Sequence, residues 1–247
     1  IVEPKRANKV KISVVLVTTL FLLAGIFAYN QVNNSITEED IIYINKFLDA
    51  GDIASISPEA SYEDEIKYII RVQKTVLKVA PLDITFAGIS FNQSREPKDL
   101  YLKKSGLCSD RSRVIEKILR RSGFQTRHIS FYSTKETASK FKSLITPQIA
   151  SHAVSEVLTQ KGWLVIDSND PWISLDKQAL PVSIKKIQSD TEIRNIEWHP
   201  KYLRHMDNMY KNPFVVVYGL YSRHGRFYPP FNFIPDIHWP EFSYNVL

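Results

Sequence analysis

The stretch 105-SGLCSDRSRVIEKILRRSG-123 holds the only cysteine in 247 residues. Val114, Ile115, Ile118 and Leu119 recur at i, i+1, i+4 and i+5, which draws one apolar stripe along a helix that starts near Cys108 or Ser109 and stops at Gly123. Cys108 therefore falls at a helix N-terminus. Unpaired N–H groups and the positive end of the helix dipole favour an anion there, so a thiolate is stabilised and its pKa drops below the free value of about 8.5. A single cysteine excludes an intramolecular disulfide framework, and no metal site is expected because zinc wants several Cys or His at short spacings. A buried inert thiol, an intermolecular disulfide and a nucleophile remain open.

The residues beyond Gly123 bear on that choice. FQTRHISFY reads as a strand, Ser133 to Ala150 as a polar loop or short helix, and SHAVSEVL and WLVIDS as a hairpin closed by Thr159-Gln160-Lys161-Gly162. If Leu158 pairs with Trp163, then Glu156 faces Val165 and Val154 faces Asp167. His152 then lies on the same face as Asp167 and diagonal to it, about 7–8 Å away at Cα and within side-chain reach. A thiol nucleophile needs a base, and the base needs a group that orients it. Cys108, His152 and Asp167 supply these in chain order, and the Cys108 backbone N–H is a candidate oxyanion donor.

SGLCSDRSRVIEKILRRSGFQTRHIS, SHAVSEVL and GWLVIDSNDPW together resemble the transglutaminase-like superfamily over roughly residues 95–175. That pattern has G-x-C at a helix start, an Arg-bearing strand, a His-Ala strand and a Trp-x-x-x-Asp strand. The resemblance implies an α+β, papain-like core in which a Cys-bearing helix packs on an antiparallel sheet carrying His and Asp. It implies Cys108 as nucleophile, His152 as general base, Asp167 as orienting acid and no cofactor. It also implies thiol chemistry on amide bonds, either hydrolysis or acyl transfer to an amine through a Cys thioester. Members that have lost activity exist, so a degenerate binding module of cell-envelope or exopolysaccharide assembly is the alternative. Val154 stands where an aromatic often follows His-Ala, and Leu107 where an aromatic or polar residue often precedes the cysteine.

Other residues carry weaker signals. Trp163 and Trp172 are candidate cleft-wall residues with a core role as the competing reading. Arg223 and Arg226 flank His224 beside Phe227 and Tyr228, a grouping suited to a carboxylate, phosphate or sugar or to an aromatic tail that closes the domain. Those four are the substrate-binding candidates. Asn92 and Gln93 are minor candidates for oxyanion donors, Glu156 reads as packing or charge support, and Arg127 and His128 read as structural ion-pair residues.

The chain divides into a basic tail (1–11), an apolar segment (12–30), an N-terminal helical part (37–94), the core (95–180) and a C-terminal extension (181–247). Helices are expected after Thr37 and Ser61, and residues 82–104 as loop. Ile12–Tyr29 runs 18 residues without a charge, the lower edge of a membrane span. Lys5, Arg6, Lys9 and Lys11 before it favour a cytoplasmic N-terminus and an extracytoplasmic domain on the cytoplasmic membrane. A cleaved signal peptide is the alternative. The tail supplies half of the formal charge of +6, and no nucleic-acid motif occurs. The expected partners are the membrane and a protein, peptide or glycan substrate outside it.

Overall fold

A computed structural model describes residues 5–29, 32–85, 95–146, 148–189, 196–221 and 236–246. Lys5–Tyr29 form α1. From Ser13 to Gly25 every residue is exposed, Phe21 at 75%. Among the described residues no helix is long and apolar enough to cross a membrane, so the structure does not support the span expected over 12–30.

Both expected caps form. Thr37 opens α2 (Glu38–Ala50) with a reciprocal box, its hydroxyl accepting from Asp40 N–H and the Asp40 carboxylate accepting from Thr37 N–H. Ser61 caps α3 (Tyr62–Val79), which buries Ile69, Val72 and Val76. The loop expected over 82–104 instead contains α4 (Pro97–Lys103), with Pro97 in its first turn and Asp99 accepting from Glu96 N–H at 3.0 Å. Seven residues are too few for a hydrophobic period to register, whereas the proline start follows a known preference.

α5 (Cys108–Arg121) packs on α3 and α4 on one side and on the sheet on the other. The sheet is antiparallel, in the order β3-β2-β1-β4, with β1 Thr126–Ser133, β2 Ser151–Thr159, β3 Gly162–Ile166 and β4 Phe214–Tyr218. Short helices α6 (Lys140–Ile145), α7 (Ile184–Ser189), α8 (Pro200–Leu203) and α9 (Trp239–Phe242) lie between and after the strands. The described fold is thus α+β. In the β2–β3 hairpin Leu158 pairs with Trp163 and Glu156 with Val165, the register expected from the turn. Gly162 closes that turn at φ +128°, a region in which side chains are strained.

The sequence stripe understates the burial of α5. Every residue from Cys108 to Leu119 is buried, including Asp110, Arg111, Arg113, Glu116 and Lys117. Lys117 donates to Asp40 of α2 at 2.8 Å and lies 2.5 Å from Glu96 before α4, while Arg113 pairs with Glu96 at 2.5 Å. Glu116 accepts from Ser112 at 3.0 Å, Ser155 at 2.9 Å and His128 at 2.8 Å. Removing one partner of a buried ion pair strands the other without solvent, at a cost of about 3–5 kcal/mol. Lys117→Met is therefore expected to lower the denaturant midpoint sharply. The exposed Lys67–Asp64 pair is the control, and Lys67→Met should leave the midpoint in place.

Candidate active site

The glycine two residues before Cys108 sets how closely the helix start can be packed. A Cβ on Gly106 would meet Leu100 Cδ1 at 2.5 Å and Asp110 Cβ at 3.2 Å. Gly106 also bonds back to the chain after α3, donating to Pro81 O at 3.1 Å and accepting from Asp83 N–H at 3.0 Å. The Asp110 carboxylate takes Leu107 N–H at 3.0 Å, which fixes the entry into α5. Cys108 then begins the helix, with 9% of its surface exposed.

His152 is the second residue of β2, and its ring meets the edge of Phe131, its cross-strand neighbour, at 5.5 Å between centroids. Asp167 follows the last residue of β3, and its Oδ2 lies 3.0 Å from His152 Nε2. With Nε2 engaged, Nδ1 is the ring nitrogen left for the thiol, and Cys108 and His152 act on each other electrostatically. The structure thus brings Cys108, His152 and Asp167 into one chain of contacts.

Asp167 is held on all sides. Its Oδ1 accepts from the backbone N–H groups of Asn169 at 2.7 Å and Asp170 at 2.9 Å. Its Oδ2 also accepts from the Tyr210 hydroxyl at 2.7 Å. Gln73, buried in α3, reaches the carbonyl oxygens of Asp167, Asp170 and Trp172 at 2.8, 3.1 and 2.7 Å and so fastens the loop to the helical layer.

The electrostatics follow from these contacts. Burial pushes the Cys108 thiol up, but the His152 hydrogen bond and charge, Ala153 N–H and the Arg111 charge outweigh it, and the pKa falls below its ordinary value. Burial pulls His152 down, while the Asp167 charge and hydrogen bond and the Cys108 contact carry it well above its ordinary value. Asp167 is raised by burial and lowered by His152, Asp170 N–H and Tyr210, with a net depression. The three shifts run in one direction, toward a thiolate beside an imidazolium beside a carboxylate.

The other candidates lie elsewhere. Trp172 is fully buried beneath the site, 4.5 Å from the Tyr210 ring and 5.5 Å from Trp198. It is a core residue in this structure. Trp163 stacks on the Arg127 guanidinium at 3.9 Å, and Arg127 pairs with Glu156 at 2.6 Å. That group sits at the turn end of the hairpin, away from His152. Arg223, Arg226, Asn92 and Gln93 lie outside the described residues. Among the described residues no group of three or more His, Cys, Asp or Glu could hold a metal ion.

Residues 59–168 match the model of the transglutaminase-like superfamily. The matched span includes all three contact residues. No curated protein matches by sequence. Among solved structures, an arylamine N-acetyltransferase from Salmonella typhimurium is 13% identical at a TM-score of 0.38, over 55% of this chain and 46% of that one. Arylamine N-acetyltransferase C from Bacillus anthracis is 18% identical at 0.35, over 55% and 50%. The Bacillus cereus NAT3 enzyme, described as having a unique Cys-His-Glu catalytic triad, is 17% identical at 0.34, over 51% and 48%. The chain spans half or less of the length of each of these proteins.

Sequence reading missed Tyr210, Gln73 and Arg111. Tyr210 shares Asp167 Oδ2 with His152, so it withdraws basicity from the oxygen that holds the imidazole. Tyr210→Phe is expected to cost about 1.5–3 kcal/mol, the worth of a hydrogen bond to a charged group. It should also move the His152 titration upward, read from the shifts of labelled imidazole carbons. An unchanged titration would remove Tyr210 from the site's electrostatics.

Proposed function

We propose that this chain is a thiol acyl-transfer enzyme that acts on amide bonds. The observation that carries the reading is the buried His152–Asp167 hydrogen bond at 3.0 Å beside the enclosed Cys108, and the mutual electrostatic influence of thiol and imidazole, lowering the one pKa and raising the other, supports it. The Cys108 thiolate attacks the amide carbonyl carbon, and the carbonyl π electrons move to oxygen, where the N–H groups at the start of α5 receive the charge. The carbonyl re-forms as the C–N bond breaks, and the imidazolium gives its proton to the leaving nitrogen, which departs as a neutral amine. The thioester is then attacked by water or a second amine, whose proton His152 takes, and the thiolate leaves. Asp167 holds the ring through both halves and stabilises its positive form.

The pH dependence has two limbs. Thiolate is present above the depressed Cys108 pKa, so nucleophilic reactivity extends below the usual thiol range. The imidazolium needed as acid is lost as pH rises through the elevated His152 pKa, so turnover declines again on the alkaline side. Iodoacetamide is expected to alkylate Cys108 rapidly well below pH 7, with His152→Ala losing that low-pH rate. Equal profiles rising only toward pH 8.5 would overturn the enzyme reading and leave a binding module.

The site is further proposed to work outside the cytoplasmic membrane on a protein, peptide or glycan conjugate, with α1 as anchor. Support comes from the exposed apolar side chains of Ser13–Gly25, among them Val14, Leu16, Leu20, Phe21 and Leu22, a stretch that carries no charge. The basic residues Lys5, Arg6, Lys9 and Lys11 lie at its N-terminal end. The full chain should stay with membranes through an alkaline carbonate wash, and its release would refute the anchor.

A further inference from the structure

Arg111 is the one buried cation of α5 with no carboxylate hydrogen-bonded or in salt-bridge contact among the described residues. It lies three residues after Cys108, on the same face of the helix, and 1% of its surface is exposed. Its Nη2 donates to Asn169 Oδ1, and the Asn169 N–H is in turn held by Asp167 Oδ1 at 2.7 Å. Its Nε has no hydrogen-bond partner among the described residues. Burying a guanidinium with an unsatisfied donor costs several kcal/mol. A side chain so placed must be offset by charges that it faces without bonding.

Those charges belong to the site. Cys108, Asp167, Asp110 and Asp170 all act on the guanidinium. Asp110 has its own cation in Arg95, 3.8 Å away, and Asp170 is only half-buried, its carboxyl raised by burial and by the Asp167 and Asp207 charges, which makes it the weaker anion. That leaves Cys108 and Asp167. With a thiolate, an imidazolium and a carboxylate, the buried triad carries a net charge of minus one, and Tyr132 and Tyr210 beside it are neutral hydroxyls. Asn169 clamps a single positive charge against this group.

We propose that Arg111 is the counter-ion of the active site, a positioning residue that neutralises the thiolate–imidazolium–carboxylate group and keeps Cys108 in its anionic form. It touches no reacting atom in this scheme and acts through the charge state of Cys108. The inference rests on the thiol-enzyme reading above. It adds that the ion pair formed by His152 and Cys108 needs a third, positive partner because both anions are enclosed.

The test is the rate of Cys108 alkylation by iodoacetamide against pH in the full chain, comparing wild type, Arg111→Met, Arg111→Lys and His152→Ala, with circular dichroism to verify folding. Arg111→Met, close in shape and without charge, is expected to alkylate about tenfold more slowly than wild type near pH 6 and to converge with it above pH 9. A tenfold change in thiolate fraction corresponds to about one pKa unit. Arg111→Lys keeps the charge and is expected to retain most of the low-pH rate. A folded Arg111→Met with the wild-type profile overturns the proposal while leaving the enzyme reading intact. If Arg111→Met fails to fold, Arg111→Lys decides, and its loss of low-pH reactivity in a folded protein overturns a role based on charge. A wild type that matches His152→Ala refutes the thiol-enzyme reading itself, and the counter-ion with it.

Discussion

The structure depends on the enclosure of α5 from Cys108 to Leu119, a stretch of mostly polar sequence. Enclosing Asp110, Arg111, Arg113, Glu116 and Lys117 removes them from water, and each buried charge must then be met by a partner. The surrounding elements are placed so that they meet these charges. α2 brings Asp40 to Lys117, the turn before α4 brings Glu96 to Lys117 and Arg113, β1 and β2 bring His128 and Ser155 to Glu116, and the loop after β3 brings Asn169 to Arg111. An apolar helix would be as well buried on many registers. A helix with this pattern of charges fits one, and that register fixes where Cys108 points.

The second half of the site is fixed by the hairpin and by two side chains far from it in sequence. The β2–β3 register carries Asp167 past the strand end to a place diagonal to His152, and the Asn169 and Asp170 N–H groups then lock its carboxylate. Gln73 ties the same loop to α3, and Tyr210 caps the remaining approach to Oδ2. The helical layer and the sheet are therefore joined at the loop that bears the orienting acid. A shift of α3 against the sheet would act directly on His152.

Much of this was legible in the sequence because it follows from local rules. The caps at Thr37 and Ser61, the strand after Gly123 and the hairpin register all depend on residues within a few positions of each other. The pairing of His152 with Asp167 was legible because the turn set the register, and the place of Cys108 because helix periodicity set the start of α5. The enclosure of the charged face of α5 was not, since periodicity reports a stripe and cannot count the layers that will cover the other sides. Tyr210 lies 43 residues from Asp167 in a stretch with little pattern, and no local rule connects the two. Gln73 did leave a trace, as a polar residue within the apolar face of α3.

The helix N-terminus alone does not account for the state of Cys108. A helix dipole is worth at most about 2 kcal/mol to an anion at its positive end, which corresponds to less than two pKa units. Full burial of an ionisable group opposes its charge by up to about 3–5 units. A thiol enclosed to this degree at a helix start, with no other help, would remain protonated. The imidazolium in contact with it carries a whole charge where the helix end carries about half of one, and in a poorly screened interior that difference decides the sign. His152 bears the charge because Asp167 faces it, and Asp167 stays ionised through the charge of His152 and its hydrogen bonds to His152, Asn169, Asp170 and Tyr210. The reactivity of the one cysteine is thus a property of the loop after β3 at least as much as of the helix on which it sits.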